Sequence, residues 1–267
     1  MSLRIYQVDA FTDIVFGGNP AAVMPLETWL PDRTLQDLAA ENNLAETAFF
    51  VPEGQEGYRL RWFTPTTEVD LCGHATLASA FVIMTILRPG TERVEFTTQV
   101  AGTLAVTRSG DLYTLDFPSR PAEPASPDLD PVKAEIAAAL GGVPPADVLV
   151  TPRDYMVVYD DATSVAGLDP DFAALGRLDR AVLVTAPGSD SDFVSRFFAP
   201  GHGIPEDPVT GSTHCTLTPY WAERLAKTEL SARQLSARGG QLKLRLAGDR
   251  VLISGTAVLY LEGTVYL

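Results

Sequence analysis

The chain has 267 residues, 46% of them hydrophobic, with 20 Lys and Arg against 34 Asp and Glu for a formal net charge of −14. This length and apolar content exclude a disordered or collagen-like chain and allow one or two domains with a substantial core. The acidic balance argues against nucleic acid as a partner, and two cysteines, Cys72 and Cys215, are too few for a disulfide framework.

In chain order, the first eleven residues mix strand-forming side chains (Leu3, Ile5, Tyr6, Val8) with charges and contain no apolar signal core. Residues 44 to 51 form a second strand-like run that contains Glu46 among Leu44, Ala45, Ala48, Phe49 and Phe50. Residues 71 to 87 carry no charge if histidine is neutral and predict a helix apolar nearly all round, hence buried, with Leu77, Phe81, Met84 and Leu87 among its side chains. The longest apolar stretch, near residues 77 to 87, is about half the length needed to span a bilayer, so no membrane partner is expected and a cytoplasmic location is. Tyr113, Leu115 and Phe117 alternate with polar residues as a strand does, after a Gly110-Asp111 hairpin turn.

Residues 118 to 131 carry five prolines and read as a linker outside any sheet or helix. Asp130-Pro131 signals a helix start and Gly141-Gly142 its end. A second charge-free stretch, residues 208 to 222, predicts another buried helix, with Pro219 as a kink. Leu242, Leu244 and Leu246 alternate with Lys243 and Arg245, and Gly248-Asp249 marks a further turn.

The two sides of the linker repeat one another. Arg61-Trp62-Phe63-Thr64-Pro65 returns as Arg196-Phe197-Phe198-Ala199-Pro200, while Gly73-His74 returns as Gly211-Ser212 and Ser109-Gly110-Asp111 as Ala247-Gly248-Asp249. The first offset is 135 and the other two are 138, so a three-residue insertion falls between Pro200 and Gly211. The expected architecture is α+β: two pseudo-symmetric domains, residues 1–118 and 119–255, each a mostly antiparallel sheet curled around one buried helix. Residues 256–267 exceed the repeat and are expected to return to the first domain as a closing strand.

Candidate site residues follow from that plan. Two helix starts led by Gly73 and Gly211 and facing a shared cleft would bind a carboxylate or enolate through their N–H groups, unless both glycines only make turns. His74 and Ser212 stand next to them, the first able to bind or shuttle a proton, the second a helix cap or a substrate donor. Asp207 precedes the second helix as a cap or a cleft-facing acid. Glu46, buried in its apolar run, would be a general base, whereas on a solvated strand face it would be inert. Its counterpart at the 135 offset is Ala181, so the halves differ chemically. The His and Cys residues show no metal-finger spacing and no metal is expected. Thr210 stands where a two-thiol racemase would repeat Cys72, which disfavours that mechanism.

Gly18-Asn19-Pro20-Ala21-Ala22-Val23, Asn43-Leu44-Ala45-Glu46-Thr47, Cys72-Gly73-His74-Ala75-Thr76 and Glu206-Asp207-Pro208-Val209-Thr210-Gly211-Ser212 together resemble the phenazine-biosynthesis PhzF family over essentially the whole chain. The resemblance implies the diaminopimelate epimerase-like fold and a homodimer that isomerises a small anionic metabolite without metal or organic cofactor. It implies Glu46 as the acid/base, with His74 and Asp207 assisting proton movement. It also implies that Ser212, Asn19, Cys72 and Thr210 contact the substrate and that Gly73 and Gly211 present backbone donors to it.

Overall fold

The computed structural model describes residues 1–54, 57–141 and 143–267, so Gly142 lies outside the described residues. The chain divides into two compact units, Met1–Phe117 with Leu252–Leu267, and Pro118–Val251.

In the first unit, strand Ser2–Ala10 pairs antiparallel with both Asn19–Pro25 and Ala257–Tyr266. Asn19–Pro25 runs parallel to Glu46–Glu53, with Ala21 opposite Glu46. A parallel neighbour requires a crossover, and helix Asp32–Asn42 supplies it, burying Leu35, Leu38 and Ala39 on one stripe against Met24, Phe49 and Phe63. It ends at Asn43 in the left-handed conformation that favours asparagine (φ 48°). Glu46–Glu53 then pairs antiparallel with Gly57–Phe63, which lies parallel to Arg93–Thr97. The sheet is therefore mixed but mostly antiparallel, as expected, with parallel pairs at these two places. Strands Thr103–Ser109 and Leu112–Pro118 close over the Gly110-Asp111 turn, and Tyr113, Leu115 and Phe117 point into the core as their alternation predicts.

Helix Gly73–Val82 runs through this unit packed against strands from Ser2–Ala10 to Thr103–Ser109. All its residues except Phe81 are buried, as a charge-free helix demands. Thr76 and Ser79 satisfy their hydroxyls on the carbonyls four residues back, the cheapest partner for a buried hydroxyl in a helix. The helix continues as a π-helical turn, Ile83–Leu87, closed by the Arg88 N–H on the Ile83 carbonyl at 2.7 Å.

The second unit repeats this plan. Asp154–Val158 runs parallel to Ala181–Pro187, with Asp154 opposite Ala181, and Ala181–Pro187 pairs antiparallel with Phe193–Phe198. Glu229–Gln234 adds a parallel neighbour and Gly240–Ala247 an antiparallel one. The proline-rich segment is not free of regular structure. Glu123–Pro124 forms a two-residue strand against Leu149 and Val150, where the edge position spares proline its missing donor. Pro127–Leu129 then makes a single 3-10 turn. Helix Asp130–Ala139 follows, with Pro131 in its first turn; Leu129, not Asp130, is the cap residue.

The second buried helix starts later than its charge-free run suggests. Gly211–Thr213 is a 3-10 turn and the α-helix spans His214–Leu225, stacking Trp221 on Phe193 with ring centroids 5.8 Å apart. Pro219 sits inside it and has no N–H for the carbonyl four residues back, that of Cys215. The Arg120 N–H takes that carbonyl at 2.9 Å.

Candidate active site

Three of the expected residues converge in the first unit. Glu46 opens its strand, and its side chain is only 12% exposed. Its Oε2 lies 3.2 Å from Nε2 of His74, off the axis of a ring N–H. The other ring nitrogen, Nδ1, lies 3.5 Å from Sγ of Cys72. Burial pushes the His74 imidazolium down to about 3, so the ring is neutral at physiological pH. The contacts form a chain of thiol, imidazole and carboxylate at the head of the Gly73–Val82 helix.

Backbone geometry sets this chain. Cys72 is the cap residue in extended conformation, and its carbonyl accepts both the N–H and the hydroxyl of Thr76, at 3.2 and 2.5 Å. Gly73 and His74 thus stand in the first turn, where backbone N–H groups lack intrahelical partners and favour negative charge nearby. Asn19 starts the strand next to that of Glu46 and is fully buried.

Glu46, Cys72 and His74 each bring one potential ligand atom within 4.8 Å of the others, a sulfur, nitrogen and oxygen set of the kind zinc accepts. The carboxylate meets Nε2, however, and the thiol meets Nδ1. One ion can bind only one ring nitrogen, so shared coordination would require breaking one of these contacts.

The second unit holds the remaining candidates. Asp207 and Thr210 are buried, and the Thr210 hydroxyl donates to Asp207 Oδ2. Gln234, which sequence reasoning missed, ties them together. Its Nε2 donates to the Asp207 carbonyl at 2.7 Å and to Thr210 Oγ1 at 3.2 Å, while its Oε1 accepts the Thr210 N–H at 2.8 Å. Nothing near Asp207 in sequence signals it. Gly211 is buried and Ser212 half-buried in the 3-10 turn, so Ser212 is not the helix cap. His214 is completely buried, with Nδ1 2.8 Å from the Thr210 carbonyl, and burial pushes its imidazolium down to about 4. Asp154, opposite Ala181, was also missed; burial raises its carboxyl against the opposing effects of Arg153, Arg120 and His202.

The fold is shared with a hydroxyproline epimerase from Agrobacterium vitis, at TM-score 0.58 and 11% identity, over 99% of this chain and 92% of that one. An uncharacterized isomerase of Pseudomonas aeruginosa is 53% identical over 270 residues, with 100% of both chains covered, and the present chain is likewise an enzyme of the isomerase class. A phenazine biosynthesis PhzF family protein of Enterococcus faecalis, solved by crystallography, superposes at TM-score 0.92 with 49% identity over 100% of each chain. Residues 8–263 match the family model described as phenazine biosynthesis-like protein, and the chain belongs to that family. Among the described residues, no helix is long and apolar enough to cross a membrane.

Proposed function

We propose that this enzyme moves a proton between carbon atoms of a small, carboxylate-bearing metabolite by general acid–base catalysis that draws on no organic cofactor, with Glu46 as the base. The contact between Glu46 Oε2 and the neutral His74 ring, 3.2 Å apart and largely shielded from water, carries this reading. A carboxylate in that setting can take a proton from an acidic C–H. As negative charge spreads onto the substrate, N–H groups at the Gly73 helix start can stabilise it, and the protonated Glu46 can return the proton at another carbon. His74 assists that movement. Asp207, buttressed by Thr210 and Gln234, serves as a second polar anchor and acid, and Ser212 and Gly211 offer further donors. The same reading expects a homodimer and a cytoplasmic setting.

The test is to incubate the protein in D2O with a panel of small unsaturated, hydroxy and amino carboxylates and follow deuterium entering carbon positions. A substrate that exchanges with wild type should exchange about 10²–10⁴-fold more slowly with Glu46→Gln at unchanged fold. Full exchange in that variant removes Glu46 as the base, and tight binding of a carboxylate without exchange would make the chain a binding protein.

A further inference from the structure

We propose that Cys72 is a positioning residue: its thiol donates to Nδ1 of His74 and so holds the ring in the tautomer whose proton sits on Nε2, facing Glu46. This rests on the reading of Glu46 and His74 as the proton-handling pair. A neutral imidazole carries a single N–H, and two tautomers compete for it. In the Nδ1–H form the ring would donate to sulfur, a weak acceptor, and would turn the bare lone pair of Nε2 toward a carboxylate oxygen 3.2 Å away. That arrangement is tolerable only if Glu46 is already protonated, and a protonated carboxyl cannot take a proton from carbon. In the Nε2–H form the S–H pairs with Nδ1 at 3.5 Å, and the partly positive Nε2 hydrogen, though off the axis of a hydrogen bond, lies on the side of Oε2 in place of a lone pair.

A thiol is a weak donor, but here it only has to bias two nearly balanced states. Its placement is firm: Cys72 is 6% exposed, and its carbonyl is held by both the N–H and the hydroxyl of Thr76. The second unit has Thr210 and Ser212 at the corresponding places. At these equivalent positions the thiol and the imidazole thus belong to the repeat that also carries the glutamate.

Protein labelled with ¹⁵N at histidine gives one imidazole pattern for each of the three histidines in a long-range ¹H–¹⁵N correlation spectrum, and His74→Asn removes the one to assign. The wild-type His74 pattern is expected to be that of the neutral Nε2–H tautomer. Cys72→Ser, which keeps an O–H donor, should retain it, and Cys72→Ala should lose it to an Nδ1–H or averaged pattern at unchanged circular dichroism. A wild-type ring in the Nδ1–H or doubly protonated form overturns the proposal without any variant of Cys72. So does an unchanged tautomer in Cys72→Ala, or Cys72→Ser behaving like Cys72→Ala. Failure of the isomerase reading shows elsewhere, as absence of solvent deuterium in any carboxylate tried, with the tautomer intact.

Discussion

Arg61 in the first unit and Arg196 in the second perform the same task with different partners. Each sits on a strand, stacks on the phenylalanine two residues later (5.0 Å to Phe63, 4.9 Å to Phe198) and grips a glutamate with two parallel hydrogen bonds. The glutamate follows its arginine by seven residues in the first unit and ten in the second. The difference, 10 − 7 = 3, is the three-residue insertion read from the repeat offsets. The remaining donor diverges: Arg61 reaches the exposed Asp32 at 2.9 Å, whereas Arg196 reaches the Leu168 and Val165 carbonyls at 2.9 and 3.3 Å. The repeat thus preserves a bidentate ion pair bracing the strand before each central helix, while what surrounds it has changed.

The same contrast runs through the chemistry. Glu46 and Ala181 each open a strand with a parallel neighbour on one side and an antiparallel one on the other. Only the first carries a carboxyl group. The carbonyl of Cys72 accepts the hydroxyl of Thr76, while the carbonyl of its counterpart Thr210 faces the imidazole of His214 and accepts the hydroxyl of Thr213. A duplicated frame keeps its backbone acceptors in place and leaves the side chains at the helix starts free to specialise.

The largest effect that probes this comparison comes from the arginines. Arg196→Ala strips the partner from a glutamate only 19% exposed and bares two carbonyls, and should destabilise the protein by about 3–5 kcal/mol in urea unfolding. Arg61→Ala leaves Glu68 33% exposed and Asp32 81% exposed, free to take up water, and should cost about 1–3 kcal/mol. Equal losses would mean that the two braces are energetically alike despite their surroundings.

Acid probes the helix starts next, since burial holds down both imidazoliums, His74 to about 3 and His214 to about 4. The His214 imidazolium is held down to about 4 from an ordinary 6.5, so the unfolded chain takes up that proton first as pH falls. The stability due to the neutral ring is complete above about pH 7 and is lost between about 6.5 and 4, by about 3 kcal/mol in total. His214→Asn, which keeps an N–H for the Thr210 carbonyl, should show a correspondingly shallower decline in unfolding free energy over that window. An identical decline would place the sensitivity elsewhere.

The smallest effect is a matched pair. Gly110 and Gly248 occupy equivalent hairpin turns at φ 60° and 65°, and a side-chain carbon at either meets nothing within 4 Å. Alanine at each should cost about 1 kcal/mol, from the left-handed backbone alone. A difference well beyond that between the two would show that the turns are not equivalent.

Much of this frame was legible in the residues. Two charge-free runs marked the central helices, because a helix without a polar face has to be buried. Alternation at Tyr113, Leu115 and Phe117 and the glycine turns marked the hairpins. Helix Asp32–Asn42 escaped notice because its buried stripe is only Leu35, Leu38 and Ala39 on an otherwise polar surface, and the parallel strand pairs it permits went with it. The late start of the second helix was hidden because the same small, charge-free residues suit a 3-10 turn or an α-helix. Glu46 stood out as a carboxylate in an apolar strand, but its partner His74 lies on another element, and only the folded chain brings them together. Gln234 carried no signal because its amide is an ordinary strand residue until the turn around Asp207 folds onto it.

The proline in the second central helix has a consequence for the segment that follows Phe117. By vacating one rung of its ladder, the helix lends the Cys215 oxygen to the amide of Arg120, two residues past a proline and next to Ser119, whose own N–H is held by the Asp249 carbonyl at 2.8 Å. A tether of this kind should slow hydrogen exchange at the Arg120 amide relative to an unbonded one, in a neighbourhood of prolines that have none to exchange. Restoring the rung with Pro219→Ala would put two donors in competition for one oxygen, and the strap would be the side that loosens.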